Sequence, residues 1–116
     1  MKLDSYIVDD ILILNIKGKI MGGPESTELL KKIDETLAAG YTKIVVNMTD
    51  VDWIDSTGLG ILISLLISLK KRGGHLKLAN ISDLFRSLLT ITKFISVFDL
   101  AESTEEAVMS LKKDFN

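Results

Sequence analysis

The spacing of apolar residues divides the chain into alternating strand-like and helix-like segments. "LDSYIVDDILILNIKG" reads as two short strands joined at Asp9-Asp10. The second alternates, with Ile11, Ile13 and Asn15 on one face and Leu12, Leu14 and Ile16 on the other. An acidic pair suits a tight hairpin turn, and Gly18 is expected to end the strand. "GGPESTELLKKIDETLAAG" is a helix marked at both ends. Pro24 fits its first position, Glu25 and Glu28 favour its positive N-terminus, and Gly40 stops it. Leu29, Leu30, Ile33 and Leu37 form its apolar stripe.

"KIVVNM" is a β-branched run expected to be a buried parallel strand, and "TDVDWID" connects it to a helix starting near Ser56. Arg72-Gly73-Gly74 terminates that helix, and "HLKLAN" is the next strand. "ISDLFRSLLTIT" follows as a helix with Leu84, Phe85, Leu88 and Leu89 inward, and "ISVFDL" as a short last strand. "STEEAVMSLKKDF" closes the chain as a helix, with a capping box of Ser103 and Glu106 and a stripe of Val108, Leu111 and Phe115. The order β-β-α-β-α-β-α-β-α predicts an α/β fold. A small, mostly parallel mixed sheet would carry an N-terminal antiparallel edge strand and pack against about four helices.

The length of 116 residues suits a single domain over 1–116. At 47% hydrophobic and 26% charged, the composition is that of a globular chain and not a disordered one. A net charge of −2 offers no basic surplus for phosphates, which argues against nucleic acid. The absence of cysteine removes disulfides and thiolate metal sites and suits a reducing, cytoplasmic setting. The N-terminus lacks a signal-peptide core. The charge-free run Ser56 to Leu69 is shorter than the roughly 20 apolar residues of a membrane span, so no membrane role is expected.

Candidate chemistry narrows quickly. His75 is the only histidine and reads as a strand residue, since metal sites need several ligands. Asp50, Asp52 and Asp55 could together hold a hard cation, although acids before a helix more often cap it. A nucleophilic enzyme would need a base beside Ser56 or Thr57, and "STGLG" is not a nucleophile elbow. "GLGILI" lacks the third glycine of a dinucleotide fingerprint. No catalytic residue, metal or cofactor is assigned.

Ser56 stands at a helix start, where backbone donors favour an anion, including a phosphate attached to the serine itself. The alternative is that Ser56 simply caps the helix. Gly58 and Gly60 would let another surface approach the first turn closely. On the helix, Ile61, Leu62, Leu65, Leu66 and Leu69 share the face that packs on the sheet, while Ile63 and Ile67 fall on the side of Ser56 and Gly60. Either a neighbouring helix covers these two isoleucines or they form a docking strip.

"VDWIDSTGLGILISL" closely resembles the signature of bacterial anti-sigma factor antagonists, members of the STAS domain family. The blocks "KIVVNMTDVDWIDSTGLG", "KKRGGHLKLANIS" and "FISVFDLAESTEEAV" extend the resemblance over nearly the whole chain. The resemblance implies a non-enzymatic regulator that binds a partner acting as both serine kinase and anti-sigma factor, and so frees a sigma factor. It implies phosphorylation of Ser56 as the off-switch and a phosphatase that resets it. Asp55, Thr57, Gly58, Leu59 and Gly60 match the surrounding motif, while Met21, Gly22 and Gly23 stand at the contact loop after the second strand, where this chain departs from the family's acidic and polar pattern. Met21 stands where many relatives carry an aspartate, which favours an apolar partner surface over a basic one. A constitutive scaffold or ligand-sensing domain on the same fold is the alternative. The expected state is a monomer or weak dimer.

Overall fold

The computed structural model describes the backbone of residues 1–115, and the side chains of all of these except 25 and 113–115. The strands are β1 (Lys2–Val8), β2 (Ile11–Ile20), β3 (Lys43–Ile54), β4 (His75–Ala79) and β5 (Asp99–Ala101). The helices are α1 (Pro24–Ala38), α2 (Ser56–Lys71), α3 (Asp83–Ile91) and α4 (Thr104–Phe115), with a short 3₁₀ turn at Phe94–Ser96 before β5.

One sheet holds all five strands in the order β1-β2-β3-β4-β5. β1 is antiparallel to β2, and every other pair is parallel. Each parallel connection therefore steps one strand in the same direction. Right-handed crossovers that all step the same way must lay their helices on the same face. Accordingly α1, α2 and α3 bury Leu29, Ile33, Leu62, Leu65, Leu69, Phe85 and Leu89 against Leu12, Leu14, Ile44, Val46 and Leu78. On the opposite face α4 alone packs Ala107 and Leu111 against Ile11, Ile13, Val45 and Ala79. The expected alternation of β2 thus holds, but both of its faces are apolar because both are covered.

Several local expectations are corrected. β3 does not stop at Met48: "TDVDWI" continues the strand to Ile54. β2 likewise runs past Gly18 to Ile20, pairing Lys17–Ile20 with Asp50–Ile54 through two register shifts. Gly18 has φ +92, and its positive φ lets the strand bend at these irregularities instead of ending. β4 leaves the ladder at Asn47, so the ends of β2 and β3 project together as a two-stranded ribbon.

Leu30 is exposed on α1, and Thr36 is buried in that stripe, its hydroxyl donating to the Lys32 carbonyl. Leu84 is 56% exposed, because α3 turns only Phe85 and Leu89 fully inward, with Leu88 half-buried. The last strand is only Asp99–Ala101, since Phe94–Ser96 coil into the 3₁₀ turn. Ser103 does cap α4, accepting from the Glu106 N–H at 3.0 Å. The expected burial of Phe115 falls outside the described side chains, as does any role of the Glu25 carboxylate.

A polar ladder crosses the sheet on the α4 side. Asn15 donates to Asp4 at 3.0 Å and accepts from Asn47 at 2.8 Å. The Asn47 oxygen accepts from Asn80 at 2.9 Å and from the Thr49 hydroxyl at 2.7 Å. These amides satisfy one another where the apolar strands reach their C-terminal ends, and no buried side-chain N or O among the described residues lacks a partner.

Candidate functional site

The site grows out of the ends of β2 and β3. Ile20 and Ile54 are buried opposite each other and anchor the two strand ends. Beyond Ile54, Asp55 takes an extended conformation and caps α2, its carboxylate accepting the Gly58 N–H at 2.8 Å. The Asp55 carbonyl accepts the Leu59 N–H at 2.8 Å and begins the helical ladder. The cap is therefore Asp55. Ser56 is the first helical residue; it is exposed, and among the described residues no hydrogen bond holds its hydroxyl. Thr57 beside it is exposed as well.

Gly58 is buried, which corrects the expectation that it opens the first turn to a partner. A Cβ there would lie 2.0 Å from the Ile20 carbonyl oxygen, so the missing side chain lets β2 and α2 touch backbone to backbone. That contact brings the loop after β2 to the helix start. A Cβ on Gly22 would meet Thr57 Cγ2 at 2.9 Å. Gly23 follows with φ +100 and caps α1, its carbonyl accepting the Ser26 N–H and hydroxyl. Met21, Gly22 and Gly23 are all exposed. Gly60 is exposed, and a Cβ there would meet nothing within 4 Å.

Farther along α2, Leu62, Leu65, Leu66 and Leu69 are buried and Ile61 is half-buried. Ile67 is 50% exposed. Ile63 is half-buried and packs against the core, so only part of it remains in the strip. Ser56, Gly60, Ser64 and Ile67 thus line the outer side of the helix. Ser64 turns its hydroxyl back onto the Gly60 carbonyl at 3.0 Å.

The structure separates the other candidates. His75 begins β4 beside Lys43, the first residue of β3, whereas Ser56 follows the last residue of β3. At the usual rise per strand residue they lie roughly 30 Å apart, which rules out a serine–histidine pair. Asp50 and Asp52 are exposed on the ribbon, and Asp55 is engaged as the cap. Among the described residues no group of three histidine or acidic side chains could hold a metal ion. Asp52 instead lines an open concavity of about 700 Å³ with Met1, Gly18, Lys19, Met21, Gly22 and Pro24. No described helix is long and apolar enough to cross a membrane.

Two features were missed. Trp53 is 46% exposed on β3, directed away from buried Ile54 and paired with Lys19. The alternation Trp53/Ile54 is a strand signal, masked by the acids Asp50 and Asp52 beside it. The asparagine ladder left a fainter signal, an amide in each of two apolar strands.

Comparison with known proteins agrees with this geometry. The STAS domain model matches residues 2–107. The anti-sigma-B factor antagonist of Bacillus subtilis is 33% identical over 95 residues, covering 82% of this chain and 85% of that protein. The crystal structure of TM1081 from Thermotoga maritima superposes with a TM-score of 0.83 at 29% identity, covering 95% and 94% of the two chains. SpoIIAA of Bacillus, solved in its phosphorylated form, superposes with a TM-score of 0.75 at 19% identity, covering 95% and 99%, and shows the fold alone. With the family model spanning residues 2–107 and the fold superposing on TM1081 over 95% of its length, this chain belongs to the STAS domain family.

Proposed function

We propose that the protein is an anti-sigma factor antagonist. In this reading it is a cytoplasmic, non-enzymatic module that binds an anti-sigma factor with serine kinase activity and so releases a sigma factor. Phosphorylation of Ser56 switches it off, and a phosphatase resets it. The name of the Bacillus subtilis relative supports the partner class. The observation that carries the switch is the Ser56 hydroxyl, exposed at the first position of α2 and spared from capping by Asp55.

The binding surface comprises Ser56, Thr57, Gly60, the exposed part of Ile63, Ile67 and the loop Met21–Gly23, with Asp55 and Gly58 holding its backbone in place. Uncharged, this surface is partly apolar, with Met21 and Ile67 exposed. A phosphoryl group adds about −1.5 to −2 charges at pH 7. Neighbouring helix N–H groups and the positive end of α2 stabilise that charge in the free protein. Burying it under an apolar contact removes its water, so the modified form dissociates.

Intact mass after incubation with the partner kinase and ATP tests the reading. One added phosphate, abolished by Ser56→Ala, is expected. Ser56→Asp should weaken partner binding by about tenfold or more, while Ser56→Ala keeps the unmodified affinity. Modification at Thr57 alone, or none, would overturn the assignment.

A further inference from the structure

β1 is an outer strand with only β2 beside it. The two-residue turn makes Val8 and Ile11 a hydrogen-bonded pair, so Tyr6, Asp4 and Lys2 also bond to β2. The N–H and C=O groups of Leu3, Ser5 and Ile7 must then point outward. No other strand or described backbone bond reaches them. β1 lacks two usual guards of an open edge: it has no proline, and its register with β2 has no bulge. Its charged residues, Lys2 and Asp4, lie on the α4 side of the sheet and not in the plane of the edge, and Asn15 holds Asp4 there.

We infer that this edge is a self-association surface, on which a second copy of the chain adds its own β1 antiparallel, about a two-fold axis through Ser5. The inference is independent of any modification of Ser56. The strand is self-complementary in one register. With Ser5 opposite the second copy's Ser5, Leu3 faces Ile7 and Ile7 faces Leu3, and every outward group of both strands is paired. A slip of two residues in one direction puts Asp4 directly opposite Asp4, a like-charge pair. The opposite slip sets Leu3 against Asp9, which is in the turn with φ +56. The side chains agree with the central register. Leu3, Ser5 and Ile7 share the α1 side of β1, where Ser5, Ile7, Leu12, Thr36 and Tyr41 line an open cleft of about 240 Å³ beside α1. The second copy's Leu3 would stand next to Ile7 over this cleft. On the other side, exposed Tyr6 would face the second copy's Asp4, setting a phenol beside a carboxylate. Ser56 follows the C-terminal end of β3, and β2 lies between β3 and this edge.

Sedimentation equilibrium of the full chain from micromolar to millimolar concentration should show a monomer–dimer equilibrium. Ser5→Pro removes only an outward donor from each copy, because the Ser5 N–H does not bond to β2. It should weaken dimerisation by roughly tenfold or more while leaving the circular dichroism unchanged. The natural chain has no cysteine, so Ser5→Cys reports on the axis directly. Facing Cα atoms about 5.5 Å apart lie within disulfide reach. Oxidation should link Ser5→Cys into a covalent dimer far faster than the surface control Thr90→Cys. A chain monomeric at millimolar concentration, a dimer indifferent to Ser5→Pro, or equal cross-linking of both cysteine variants would overturn the inference. If Ser5→Pro does not fold, the cysteine pair decides.

Discussion

Gly58 and Gly60 are two residues apart in the same turn, yet they answer to different constraints. At Gly58 an added Cβ would run into the Ile20 carbonyl oxygen at 2.0 Å, a backbone atom that cannot rotate aside. Gly58→Ala should therefore cost about 1–3 kcal/mol and loosen the junction of β2 with α2, read as a lower midpoint in urea unfolding. At Gly60 the added methyl meets open space, and alanine is the better helix former. Gly60→Ala should raise stability by roughly 0.5–1 kcal/mol in the same assay. Asp55→Ala removes the carboxylate that accepts the Gly58 N–H and should cost about 1 kcal/mol. The motif's spacing was visible in the sequence. The division of labour was not, because the spacing of two glycines does not say which one faces a strand end and which faces solvent.

At the scale of elements, α2 shows why its sequence is more apolar than one buried face requires. Its leucines fill the core, while Ile67 stays half exposed and Ile63 lies between the two environments. Ile67→Lys should change stability by less than about 0.5 kcal/mol, because the side chain is already in contact with water. The same substitution should reduce pull-down of the partner, and an unaffected pull-down would remove this end of the strip from the interface. Helical periodicity separated these faces correctly. It overreached at Ile63, at Leu30 on α1 and at Leu84 on α3, since periodicity assigns a direction and neighbouring elements decide how much water reaches it. β3 failed differently: "TDVDWI" carries acids that resemble a loop, and only pairing with β2 reveals six more residues of strand. The asparagine ladder joins three such segments. Asn47→Leu would strand the Asn15 and Asn80 amides and should cost about 1–3 kcal/mol of stability in urea unfolding.

For the molecule as a whole, stability rests on two unequal apolar layers around one sheet. The centres of β2 and β3 are buried on both faces and should show the slowest amide exchange, whereas α3, with Leu84 and Ile91 exposed, should open first. The described ion pairs contribute little. The ion pairs Lys43–Asp10, at 3.4 Å, and Lys112–Asp9 both involve well-exposed carboxylates at the hairpin turn. Raising the salt concentration should accordingly shift the unfolding midpoint only slightly.

The sequence alone determined the order of strands and helices, the antiparallel hairpin at the start, the marked helix ends and the placement of Ser56 at the entrance to α2. All of these follow from local rules of period, capping and turn chemistry, and the family motif reinforced them. Tertiary structure decided what local rules cannot reach. Strand order placed three helices on one face and one on the other, and pairing extended β2 and β3 into a ribbon. The close approach of Ile20 to Gly58 then set Met21–Gly23 beside Thr57 and left Asp55 to cap the helix with Ser56 free. The physical reason is that burial and backbone contact depend on which distant segment arrives, and that partner is not specified by the spacing of residues within either segment.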